Sequence, residues 1–161
     1  MKLPSSIAVL TLGIAVSLAT PLGAAGQALK PDAEGFLIAR PGDQHPAEGE
    51  RRVNLIGDPS QEGLYLIQLT WAPGAGSRPH YHNQARYIRV LKGTWYVSTG
   101  AASDVYDPDS MVPVEAGTFI YEPPNGHHYD MAKDEEVVVE IWGMGPVNST
   151  QIPQPGDAAG N

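Results

Sequence analysis

Two pairs of histidines are the side chains in this sequence that could do chemistry. His80 and His82 lie in the stretch RPHYH, and His127 and His128 follow the stretch PPNG. Alternate residues of a β-strand point to the same face, so a strand here would present the imidazoles of His80 and His82 together. Imidazole is the commonest metal ligand in proteins. The spacing favours a metal site, although a lone His-x-His pair is also typical of surface or hydrogen-bonded histidines.

The same face would carry a permanent positive charge. If the alternation continues from His80 and His82 without a bend, Arg86 also points inward. A guanidinium cannot coordinate a cation and does not lose its proton in proteins. Close to a divalent ion, it would add repulsion unless a carboxylate or solvent lies between them. Glu122 and Glu140 are candidate partners that could neutralise Arg86.

The elements that must position these residues are short β-strands. Alternating segments rich in β-branched and aromatic residues recur about every 8–12 residues between Gly- and Pro-rich turns, and no segment has convincing helical periodicity. This pattern predicts an all-β jelly-roll barrel or sandwich. In the strand after the His pair, Ile88 and Val90 should face inward. We predict strands over 51–58, 64–71, 80–93, 94–99, 118–122, 127–131 and 136–144, with 80–93 and 94–99 forming a strand pair and 100–117 a long loop.

The overall composition limits the possible functions. The length of 161 residues is typical of a single domain, and the absence of cysteine excludes disulfides and thiol nucleophiles. The formal net charge is −8, and no run of Lys or Arg is present. Electrostatic capture of nucleic acid or of an anionic membrane surface is therefore not expected.

The two ends of the chain differ from the middle. Residues 1–26 combine Lys2, an apolar stretch over 7–19 and small residues, which is typical of a secretory signal peptide cleaved near Gly26 or Ala28. The apolar stretch is shorter than the roughly 20 residues that a membrane span needs, so no stable membrane anchor is predicted. We expect a periplasmic or secreted protein with a β-barrel domain over 27–145 and a disordered tail over 146–161.

Two blocks of the sequence together resemble the signature motifs of the cupin superfamily, G-x5-H-x-H-x(3,4)-E-x6-G and G-x5-P-x-G-x2-H-x3-N. The first block has Gly74, His80, His82, Arg86 and Gly93, and the second has Gly117, Pro123, Asn125, His128 and Ala132. The resemblance covers roughly 64–142 and is closest to small, single-domain bacterial conserved-barrel cupins. It implies a jelly-roll barrel, a homodimer and a metal site formed by His80, His82 and His128, with His127 facing away in a structural role.

One departure from the family pattern leaves three interpretations open, because Arg86 stands where the family usually has its carboxylate ligand. In the first, the three histidines bind a metal ion while Arg86 stands back and holds an anionic substrate. In the second, the histidines still bind the ion but Arg86 bends outward or pairs on the rim without a catalytic role. In the third, no metal binds and the histidines line the pocket of a small-anion binding module.

The first interpretation is our leading hypothesis. It predicts a metal-dependent enzyme that acts on a small anionic organic molecule by oxygenase, isomerase or lyase chemistry, with Arg86 as the catalytic residue that orients the substrate. The metal would be a divalent ion such as Zn, Fe, Cu, Ni or Mn, since nitrogen ligands suit several of these ions. The alternative hypothesis is a non-catalytic ligand-binding or sensor domain without metal.

Overall fold

Residues 29–157 are described by a computed structural model, and the predicted signal peptide at residues 1–26 lies outside them. Three short 3-10 helices span Pro41–Gln44, Gly100–Asp104 and Pro108–Ser110. Over the described residues, the chain contains no helix that is both long and apolar enough to cross a membrane. The strands are β1 (Arg52–Ile56), β2 (Gly63–Trp71), β3 (His80–His82), β4 (Arg86–Lys92), β5 (Thr94–Thr99), β6 (Val112–Glu115), β7 (Phe119–Glu122), β8 (His128–Ala132), β9 (Val137–Gly145) and β10 (Ser149–Gln151).

The strands form two antiparallel five-stranded sheets. The first sheet has the order β1-β2-β9-β4-β7 and the second has the order β10-β3-β8-β5-β6. A buried apolar core draws on both sheets, with Ile88 and Val139 from the first and Trp95 and Ala132 from the second. The predicted all-β, single-domain architecture is confirmed.

Strand β4 shows the predicted alternation most clearly. Ile88 and Val90 are buried in the core, whereas Tyr87, Arg89 and Leu91 between and after them are exposed. Residues of alternating polarity along a strand with one face on the core produce this pattern. Because Arg86 lies two residues before Ile88, the alternation directs its side chain toward the interior.

The predicted pairing of segments 80–93 and 94–99 is wrong. Strand β4 pairs with β7 and β9 in the first sheet, whereas β5 pairs with β6 and β8 in the second. The chain changes sheets at Gly93, which has φ 76° and whose added Cβ would lie 2.5 Å from the Glu136 carbonyl oxygen. Only glycine fits both the positive φ and this close approach. The region 100–117, predicted as a loop, also contains β6.

The predicted disordered tail is wrong for residues 149–151, which form β10. This strand pairs with β3, with Ser149 opposite His82 and Gln151 opposite His80. Asn83 assists the pairing, since its side-chain oxygen accepts a 2.7 Å hydrogen bond from the Asn148 backbone N–H. The polar segment is ordered because it satisfies backbone groups at the free edge of β3 that would otherwise lack partners.

Candidate metal centre

The three predicted metal ligands lie together between the sheets. His80 and His82 project from β3, and His128 projects from the first position of β8, directly opposite His80 in the strand register. The three side chains offer ligand atoms that all lie within 4.8 Å of one another. All three residues are buried, with relative exposures of 7%, 6% and 6%. Two segments far apart in the sequence therefore converge on one point, as the resemblance implied.

Backbone carbonyls orient two of the three imidazoles. The Nδ1 of His80 lies 2.7 Å from the Arg78 carbonyl oxygen, and the Nδ1 of His128 lies 2.9 Å from the Gly126 carbonyl oxygen. A carbonyl oxygen can only accept, so each Nδ1 carries the proton and each Nε2 has a lone pair, which on His128 accepts from Arg86 NH2 at 3.3 Å. Metal-binding histidines commonly have this arrangement, in which the ring nitrogen that does not bind the metal donates a hydrogen bond.

The imidazole of His82 is buried without any hydrogen-bond partner on either ring nitrogen. A buried polar atom that lacks a partner is rare and costs free energy, so such an atom points to a ligand. If a metal ion were bound by the Nε2 atoms of His80 and His128, one ring nitrogen of His82 could serve as its third ligand. The donor set therefore fits a metal ion that prefers nitrogen ligands.

The electrostatics of the cluster keep these imidazoles neutral. Burial lowers the pKa of His80 and of His128 from 6.5 to about 4. Burial and, after it, the nearby Arg86 guanidinium lower the pKa of His82 to about 2. Neutral imidazole is the form that binds metal, so no proton has to be removed at neutral pH.

Arg86 faces the cluster and is neutralised by one of the two predicted partners. Its Nε donates to Glu122 Oε1 at 2.9 Å and its NH2 donates to Oε2 at 2.6 Å, which makes a bidentate ion pair. The NH2 group also lies 3.3 Å from His128 Nε2. Glu140 lies opposite Arg89 in the strand register and is not the partner. The Arg86 side chain is only 12% exposed, so it does not bend outward.

Glu122 has a second set of neighbours that the sequence did not reveal. Its Oε1 lies 4.0 Å from His82 Nε2 and its Oε2 lies 3.5 Å from His128 Nε2. The sequence suggested Glu122 only as a partner of Arg86. Its closeness to the histidines follows from the register of β7 on β4, which places Glu122 directly opposite Arg86.

His127 lies outside the cluster. Its Nδ1 contacts Asp104 Oδ1 at 2.5 Å, and its side chain is 38% exposed. Its ring stacks on Tyr81 with the centroids 5.3 Å apart, on the side of β3 away from His80 and His82. The choice of His128 over His127 as the converging residue agrees with this geometry.

Two cavities border the cluster and differ in character. One, of about 420 Å³, includes His128 and Glu122 in a mainly apolar lining with Ile88, Val97 and Ile120. The other, of about 540 Å³, includes His80 and His82. This second cavity is also lined by four arginines, Arg51, Arg52, Arg78 and Arg86. Both cavities reach Trp95 and the buried Asp130, whose pKa burial raises to about 6.

The family follows from the sequence match that spans this site. Residues 68–143 match the Cupin_2 family model, described as a cupin domain. The chain belongs to the cupin superfamily. In this cupin, Asn125 stands where the family motif has a glycine. Its φ is 58°, so the asparagine adopts a left-handed turn conformation.

Solved structures with the same fold include proteins of different activities. A cupin-like protein from Thermotoga maritima has a TM-score of 0.51 at 18% identity, over 66% of this cupin and 79% of that chain. The polyketide cyclase from Streptomyces resistomycificus has a TM-score of 0.51 at 18% identity, over 66% and 72%. A DMSP lyase structure has a TM-score of 0.50 at 18% identity over 62% of this cupin, which spans about half (51%) of that chain. No curated protein matches the chain.

Proposed function

We propose that this cupin binds a divalent metal ion through His80, His82 and His128 and acts as an enzyme on a small anionic organic molecule. The observation that carries the proposal is the cluster itself, three buried and neutral imidazoles within 4.8 Å, one of which lacks any other partner. A surface or structural histidine would find a hydrogen-bond partner or solvent. An imidazole without one, beside two others whose Nδ1 atoms are held by backbone carbonyls, is best explained by a shared ion.

The donor set limits the metal and its chemistry. Imidazole nitrogens suit Zn, Cu, Ni and Fe, and Mn is a further candidate. A bound ion with open coordination positions supplies Lewis-acid, water-activating or oxygen chemistry. The proposal therefore covers oxygenase, isomerase and lyase reactions. The polyketide cyclase and DMSP lyase structures share the fold with this cupin, but a fold alone does not fix the reaction.

The charge around the second cavity supports an anionic substrate. The chain has 10 basic and 18 acidic residues, yet four arginines and one acidic residue, Asp130, line this cavity. Guanidinium groups recognise carboxylates and phosphates by paired hydrogen bonds. Arg86 has five N–H donors, uses two of them on Glu122 and directs a third at His128 Nε2, so the two donors of NH1 are available to orient a substrate anion.

Metal analysis of protein purified without a histidine tag tests the proposal. The wild-type chain should contain one ion, and His128→Ala should lose it because one of three converging ligands is gone. His127→Ala is the matched control. The imidazole of His127 lies next to His128 in the sequence but outside the cluster, so this variant should keep the ion. Metal-free wild-type protein of normal thermal stability would instead favour the non-catalytic binding or sensor domain.

Two further properties are proposed from the sequence. The signal-like segment at residues 1–26 supports export to the periplasm or beyond, and the resemblance to small conserved-barrel cupins supports a homodimer. An export assay of the full-length chain and sedimentation of the mature protein would test these two properties independently of the metal site.

A further inference from the structure

We infer that Glu122, on β7, supplies a carboxylate ligand to the metal site, taking over from residue 86, where the family motif has its carboxylate. Arg86 becomes the residue that positions this ligand. The inference rests on the proposed metal-binding function and adds a fourth protein ligand to it. It also changes the charge of the site, which bears on the substrates it can take.

The position of the carboxylate supports this role. Glu122 is buried, with 6% relative exposure, and each of its oxygens faces a different imidazole, at 3.5 Å from His128 Nε2 and 4.0 Å from His82 Nε2. Nitrogen and oxygen ligands each bind zinc at about 2.0–2.2 Å, so two ligand atoms on one ion lie roughly 3–3.5 Å apart. The 3.5 Å contact with His128 Nε2 lies at the upper end of this range, and the 4.0 Å contact with His82 Nε2 lies just beyond it.

Arg86 holds the carboxylate without using up its capacity to bind. The guanidinium makes two hydrogen bonds to Glu122, one to each oxygen. An ionised carboxylate has about four lone-pair sites, so lone pairs remain on both oxygens. Carboxylate ligands of metals are commonly held by such outer hydrogen bonds. The direct register of Arg86 opposite Glu122 fixes the pair across two hydrogen-bonded strands.

The exchange of positions alters the charge of the site. Three neutral imidazoles, one carboxylate and a divalent ion would leave a single positive charge, and Arg86 adds a second. A ligand that enters this buried site therefore meets more positive charge than it would at a metal ion held by three histidines and a glutamate without the arginine. This charge supports the anionic ligand of the proposed function.

The competing explanation is that Glu122 only neutralises Arg86. The two roles are separated by removing the carboxylate in a background without the guanidinium. We compare Arg86→Met with the double variant Arg86→Met/Glu122→Gln, measuring the Kd for Zn²⁺ by competition with a chromophoric chelator. If Glu122 is a ligand, the double variant should bind Zn²⁺ about 10- to 100-fold more weakly than Arg86→Met. Equal or tighter binding by the double variant would overturn the inference.

A second variant keeps the test informative if Arg86→Met does not fold, because it leaves a buried carboxylate unpaired. Glu122→Asp keeps the negative charge beside Arg86 but withdraws the oxygens by one methylene. A ligand role predicts weaker Zn²⁺ binding and an altered visible spectrum of the Co²⁺-loaded protein. Binding and spectrum equal to wild type would contradict it.

The controls separate this inference from the proposed function. The exposed pair of Lys92, also on β4, with Glu136 is the matched control, and Lys92→Met/Glu136→Gln should leave the Kd unchanged. If the wild-type chain binds no Zn²⁺ or Co²⁺, the proposed function and this inference both fail. If the wild type binds and the Glu122 variants bind equally well, only the role of Glu122 is wrong.

Discussion

The same two sequence blocks meet twice in this cupin, once in each sheet. In the second sheet, β3 meets β8 and His80 lies opposite His128. In the first sheet, β4 meets β7 and Arg86 lies opposite Glu122. One meeting joins two neutral imidazoles and the other joins two opposite charges, and NH2 of Arg86 lies only 3.3 Å from His128 Nε2.

The difference shows two ways of placing polar side chains between apolar sheets. Burial penalises charge, and the imidazoles respond by staying neutral. Arginine cannot do so, and its charge is instead compensated by the bidentate carboxylate. Each imidazole of the neutral pair has a lone pair on Nε2, with that of His128 accepting from Arg86 NH2, while the charged pair presents a carboxylate and a guanidinium beside them.

Acid should destabilise the neutral pair and produce the largest effect. In metal-free protein, the pKa of His80 and of His128 is about 4 when folded, against 6.5 for the ordinary group. The unfolded chain therefore binds protons first as the pH falls below 6.5, and stability is lost progressively toward pH 4. Each histidine contributes about 3 kcal/mol to this loss when the shift is fully expressed. Urea unfolding in chelator at neutral pH and at about pH 5 measures it.

The buried Asp130 acts in the opposite direction, because its raised pKa of about 6 lets the folded state bind a proton first. The histidines outnumber it, so the net effect of acid is a loss of stability. His80→Gln is the informative control, since removing one imidazole should make the free energy of unfolding less sensitive to pH. Equal free energies of unfolding at the two pH values would contradict the neutral state of the cluster.

The sequence and its family resemblance predict the contact of His80 with His128, but the sequence does not predict the position of the Arg86–Glu122 pair beside them. His80 and His82 follow from strand alternation, which is a local property of the chain, and His128 follows from the resemblance to the family motif. The contact of Arg86 with Glu122 joins residues 36 positions apart. It depends on which strands pair and in which register, and a sequence without an alignment does not encode that in any local pattern. Glu122 was accordingly one of two candidates for Arg86 and was not expected beside the histidines.

The same limit explains two of the errors in the strand assignment. Segments 80–93 and 94–99 look like a hairpin because a Lys-Gly turn joins them, but Gly93 sends the chain to the other sheet. The tail reads as disordered because Pro, Gly and polar residues dominate it, and β10 is ordered by the edge of β3 rather than by its own composition. Local composition predicted the core strands, and tertiary pairing decided the rest.

Removing β10 should weaken metal binding by the histidines of β3, and this effect should be smaller than that of acid. Strand β3 pairs with β8 only at His80, whereas β10 lies opposite both His80 and His82. A chain that ends at Asn148 leaves β3 at the edge of its sheet, and we expect Zn²⁺ binding about tenfold weaker. A chain that ends at Asp157 keeps β10 and is the control. Equal Zn²⁺ affinity of the two chains in the chelator competition would show that β3 holds its histidines without β10.

The smallest expected effect on the metal site is at Asn125, the turn residue that links the two blocks. Its backbone N–H donates a 2.7 Å hydrogen bond to the His82 carbonyl oxygen, and its φ is 58°. Alanine is strained at this φ, so Asn125→Ala should lower the free energy of unfolding by about 1–2 kcal/mol. Asn125→Gly should be close to wild type, because glycine adopts positive φ without strain. Urea unfolding compares the two variants, both of which keep the backbone N–H and should retain Zn²⁺. If Asn125→Gly is as unstable as Asn125→Ala, the asparagine side chain itself stabilises the turn, and the link between the blocks is more than a backbone hydrogen bond.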